Sequence, residues 1–72
     1  MKTKFEKWYK YRFDNVIYIC RGRSIDDKLV TFETKDSLIK KRIEFDEKGN
    51  ERVLLKKGIS EDTFLYSSNY EL

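Results

Sequence analysis

The 72-residue chain contains no histidine, no proline, no alanine and no glutamine, and one cysteine, Cys20. The missing histidine excludes most. Imidazole is the side chain that most often moves protons near neutral pH, and it is the commonest metal ligand. Cys20 therefore has no histidine base to activate it as a nucleophile. The three glycines, at 22, 49 and 58, stand alone, so no phosphate-cradling glycine loop exists. Asp26-Asp27 with Glu33, and Asp46-Glu47, offer oxygen ligands without the spacing of a calcium loop, and read as solvated turn acids. The expectation is a chain that binds and is not an enzyme, with no cofactor and no metal.

A lone cysteine cannot form an internal disulfide, and neither an N-terminal apolar segment nor a run of about 20 apolar residues is present. A cytoplasmic protein with no membrane span is expected, with Cys20 buried as a small hydrophobe in the apolar run from Val16. Residues with AT-rich codons (Lys, Ile, Tyr, Phe, Asn) are frequent while alanine and proline are missing, which points to a low-GC bacterium or its phage as the source.

What is present is charge and aromatic area. Charged residues make up 40% of the chain and apolar residues 39%, the latter well patterned, which argues for folding over disorder. Five Phe, five Tyr and Trp8 supply the large apolar surfaces that a domain of this size needs for its core. The formal charge of +3 is unevenly spread. Residues 1–23 carry seven basic against two acidic groups, whereas residues 60–72 carry three acids and no base. A polarised molecule of this kind steers acidic partners towards its N-terminal region.

No repeat or linker interrupts the chain, so residues 1–72 are expected to form one small β-rich domain, an antiparallel meander of about five strands. Phe5 to Phe13 fits strand alternation and helix spacing equally, and its aromatic density favours a strand from Trp8 to Phe13. Asp14-Asn15 makes a two-residue turn with positive φ, which sets Tyr11 opposite Tyr18 and Lys10 opposite Ile19 on a second strand from Val16. Leu29 to Thr34 reads as a third strand. Leu38 to Asp46 and Asn50 to Lys56 follow, joined by Glu47-Lys48-Gly49 with Gly49 left-handed, the loop length that sets Glu44 opposite Arg52. Ser60 has the position of a helix N-cap before Glu61 and Asp62, giving a short helical turn over residues 61–67, with an edge strand through Phe64 to Tyr66 as its rival. The tail Tyr66-Ser67-Ser68-Asn69-Tyr70-Glu71-Leu72 resembles the end of Src-homology-3 domains, with Ser67 where that family has proline. The opening motif and paired tryptophans of that family are not found, so no function follows. An SH3-like or OB-like barrel, or a twisted sheet, is the expected architecture.

The run Lys7-Trp8-Tyr9-Lys10-Tyr11-Arg12-Phe13, with Arg21 and Arg23 further on, interleaves cations and rings. Lysine and arginine hold phosphates while rings stack under bases, so Lys7, Trp8, Lys10, Arg12, Arg21 and Arg23 form a candidate face for nucleic acid or another partner. Rings buried as core and lysines merely solvated would remove that face. Tyr9, Tyr66 and Tyr70, with Trp8, are candidate anchors for a protein interface, since Tyr, Trp and Arg dominate interface hot spots. The leading expectation is a small regulator or inhibitor, phage or mobile-element encoded, that occupies a protein partner. A nucleic-acid-binding small β-barrel is the alternative. Edge strands guarded only by lysine also admit a second copy of the chain.

Overall fold

The computed structural model describes residues 2–71, leaving out Met1 and Leu72, so the last residue of the tail compared above lies outside the described residues. Seven strands form one sheet: β1 (Lys10–Phe13), β2 (Val16–Arg23), β3 (Leu29–Glu33), β4 (Leu38–Phe45), β5 (Glu51–Lys56), β6 (Thr63–Tyr66) and β7 (Tyr70–Glu71). Their spatial order is β6-β5-β4-β3-β2-β1-β7, and every pairing is antiparallel.

Ser67, Ser68 and Asn69 alone join β6 to β7, yet these strands stand at opposite ends of that order. So short a link reaches about 14 Å at most. The sheet must therefore curl until its ends approach, and β6 does pack against β1. The result is a curled half-barrel. Alternation along each strand sends Tyr11, Cys20, Val30, Phe32, Ile43, Val53 and Leu65 to its concave side, where all are buried. Phe5 joins them from outside the sheet, with its ring edge-on to both Tyr11 and Phe32 at 5.0 Å.

The segment that carries Phe5 is strapped down by polar contacts. Arg23 meets Glu51 through two parallel bonds, Nη1 to Oε1 at 2.6 Å and Nη2 to Oε2 at 2.7 Å, and the Glu51 side chain is only 2% exposed. Glu51 Oε1 also accepts the Phe5 amide at 2.9 Å, and Asn50 Oδ1 accepts the Thr3 amide at 2.8 Å. The N-terminal strap thus lies along β5.

Both hairpins have the expected registers. Tyr11 opposes Tyr18 across Asp14-Asn15, both at positive φ, and Glu44 opposes Arg52 with Gly49 at φ 85°. Two expectations are corrected. The meander has seven strands instead of five, and no helical turn forms over residues 61–67; the rival strand does. β5 would otherwise be left with an unpaired edge, and Phe64 to Tyr66 satisfies it, with Val53 opposite Leu65. Ser60 caps nothing: Asp62 Oδ1 instead accepts the Gly58 amide at 3.0 Å, closing a loop so tight that a Cβ on Gly58 would lie 1.8 Å from the Glu61 carbonyl oxygen. Ile59, beside it, is fully exposed. Among the described residues no helix is long and apolar enough to cross a membrane.

Candidate functional site

Two bulges meet beside Cys20. The Trp8 amide donates to the Cys20 carbonyl at 2.7 Å while the Cys20 amide donates to the Tyr9 carbonyl at 3.0 Å, so two residues oppose one. Trp8 takes φ 72° there, a conformation in which glycine is the usual occupant and which costs other residues about 1–2 kcal/mol. On the other strand the pairing shifts between Cys20 and Gly22, leaving Arg21 as the extra residue and Gly22 at φ 147°. Bulges re-aim side chains, and these two aim at one another: the Arg21 guanidinium carbon lies 4.7 Å from the Trp8 ring centre, with Lys7 Nζ at 5.8 Å.

Trp8 is 59% exposed, Tyr9 47% and Tyr70 44%. Antiparallel pairing of β7 with β1 brings the Tyr70 ring to 5.5 Å from that of Tyr9. This pair forms a ridge between two hollows. One, of about 510 Å³, also holds Trp8, Lys10 and Glu71. The other, of about 690 Å³, opens at the end of the half-barrel, where Phe45 forms a wall and is 62% exposed.

The aromatic residues thus divide in two. Phe5, Tyr11 and Phe32 are buried core, with Phe13 and Tyr18 packed against it, whereas Trp8, Tyr9 and Tyr70 are gathered on the surface. Tyr66 does not join them. It is half-buried on the convex side of β6, where the Arg52 guanidinium lies 3.8 Å from the Phe64 ring centre and 6.0 Å from its own.

The cations divide as well. Arg12 Nε donates to Glu71 at 2.8 Å, which raises its pKa, and Arg21 is paired with Glu33. Arg23, drawn into the Glu51 pair and bonded to Asp27 at 2.9 Å, is part of the fold's strap. Its pKa is raised, chiefly by the Glu51 hydrogen bonds. Lys7 and Lys10, with Lys2 and Lys4 on the strap, form no ion pair among the described residues. Cys20 is wholly buried, and burial pushes its thiol pKa up. Among the described residues no three His, Cys, Asp or Glu side chains gather to hold a metal ion.

Phe45 and Glu51 were not singled out by sequence. Glu51 had a legible signal, since an acid in register with Val53 and Leu55 falls on the apolar face of its strand and needs a buried cation. No family model matches the chain, and neither the curated proteins nor the solved structures compared with it give a match. The fold and site define a small antiparallel β half-barrel with an exposed aromatic face.

Proposed function

We propose that this chain is a non-enzymatic protein-binding module, a small regulator or inhibitor that acts by covering a surface of a protein partner with the Trp8, Tyr9 and Tyr70 face. The observation that carries this reading is the exposure of Trp8 at a strained backbone position. A large ring kept in solvent at φ 72° costs stability, and such strain concentrates where it serves a function. The ring is pre-positioned by Arg21, and pre-positioned aromatic anchors lose little entropy on binding. Pairing of Arg12, Arg21 and Arg23 with carboxylates favours a protein over nucleic acid, because phosphate binding draws on free cations. Lys7 and Lys10 are what support the alternative of a nucleic-acid-binding barrel. The reading takes the chain as cytoplasmic and encoded by a phage or mobile element of a low-GC host.

The test is partner capture followed by titration. Trp8→Gly and Tyr70→Ala are each expected to cost at least about 2 kcal/mol of affinity, roughly thirtyfold in Kd. Because glycine suits the Trp8 backbone, Trp8→Gly is expected to fold as well as the parent. Undiminished binding by both variants contradicts the reading.

A further inference from the structure

The two hollows flanking the Tyr9–Tyr70 ridge have a charge balance that their composition hides. Three lysines line them, Lys2, Lys4 and Lys10, and so do three carboxylates, Glu6, Glu51 and Glu71. Glu51 is spent on Arg23 and Glu71 on Arg12, while the three lysines have no carboxylate within ion-pair distance among the described residues. The floor is aromatic and the surplus charge is positive. Lys7 adds a further ammonium beside Trp8.

We propose that this double hollow is a docking site for an extended acidic peptide segment whose apolar side chains enter the hollows on either side of the ridge, while its carboxylates meet Lys2, Lys4 and Lys10. The proposal rests on the protein-binding reading above and names the chemistry of the partner. Three observations carry it. Lys2, Lys4 and Lys10 are unpaired against Glu6 alone, so the surplus free charge is positive and the site favours acid over base. Tyr9 and Tyr70 each face both hollows, so one segment contacts both at once. Phe45, 62% exposed at the end of β4, is a large apolar side chain that the fold itself leaves uncovered. An extended segment alternates its side chains between two faces, so alternating acidic and apolar residues present apolar groups to the floor and acids to the rim.

The probe is a nine-residue peptide alternating glutamate with leucine, titrated into the isotope-labelled protein while its amide resonances are followed. Expected shifts centre on residues 2–10, Phe45 and Tyr70, and affinity falls about tenfold on Phe45→Ser and again on Lys4→Glu with Lys10→Glu. Phe45→Ser alters no buried side chain, so loss of binding there is separable from loss of fold. A peptide with lysine for glutamate, or with serine for leucine, is expected to leave the spectrum unchanged. Equal binding of either control overturns the proposal. So do shifts centred elsewhere, a concentration-dependent self-association that fills the hollows with a second copy, or the same shifts on adding an oligonucleotide. A captured partner that still depends on Trp8 while the acidic peptide fails removes this assignment and leaves the protein-binding reading standing. Capture independent of Trp8 and Tyr70 removes both.

Discussion

Tyr11 is wholly buried, with its hydroxyl accepting the Glu6 amide at 2.9 Å, and burial pushes its phenol up to about 12. An unfolded tyrosine ionises near pH 10. Below that pH both states hold the proton and the contribution is complete. Between pH 10 and 12 only the unfolded chain releases it, so stability falls as pH rises, by about 2–3 kcal/mol over the window. Denaturant melts of the parent and Tyr11→Phe between pH 9 and 12 check this. The parent is expected to lose that much more stability than the variant over this range, and parallel curves contradict it. Trp8 is the opposite kind of residue, costly to the backbone and exposed, with the Arg21 guanidinium at 4.7 Å and Lys7 Nζ at 5.8 Å from its ring. The sequence reading groups Trp8, Lys10, Arg12 and Arg21 on one face of the first hairpin, and the structure brings Arg21 onto the Trp8 ring. Sequence did not show Trp8 at positive φ, because that bulge is fixed by two hydrogen bonds to Cys20, twelve positions away.

Among the elements, the strap is held by Asn50 on Thr3, by Glu51 on Phe5 and Arg23, and by the buried Phe5 ring. Glu51→Gln removes the buried carboxylate of partly buried Arg23 and leaves it only the exposed Asp27, and breaking a buried ion pair from one side costs about 3–5 kcal/mol. A chain of this size holds about 4–11 kcal/mol in total. The variant is expected to be marginally folded, with hydrogen exchange at Phe5, whose amide donates to Glu51, accelerated most. Parent-like exchange at Phe5 contradicts the role given to the strap. The hairpins were legible because their information is local: Asp14-Asn15 in one, Gly49 and the Glu44–Arg52 pair in the other. The stretch around Ser60 was not. Its cap residues imply a helix locally, while the free edge of β5 demands a strand, and the long-range pairing of Val53 with Leu65 wins. The strap escaped notice for the same reason, since Phe5 to Glu51 is a separation of 46 residues.

For the whole molecule, curling the sheet brings the two termini of the described chain to one end of the half-barrel, where β7 pairs with β1 and the strap crosses β5. That places the lysines of the basic N-terminal third beside the C-terminal Tyr70, and turns a charge asymmetry visible in sequence into a cationic rim around an aromatic ridge. The arginines that also belong to that third are tied up within the fold. Protein or nucleic acid is therefore decided by whether the remaining lysines suffice to hold phosphates. The most direct measurement is the emission of Trp8, the only tryptophan, as single- and double-stranded DNA and RNA are added at low and high salt, with a mobility-shift assay alongside. A protein-binding face leaves the emission unchanged and gives no shifted band at either salt. Quenching at low salt that fades as salt is raised contradicts it and assigns the face to nucleic acid.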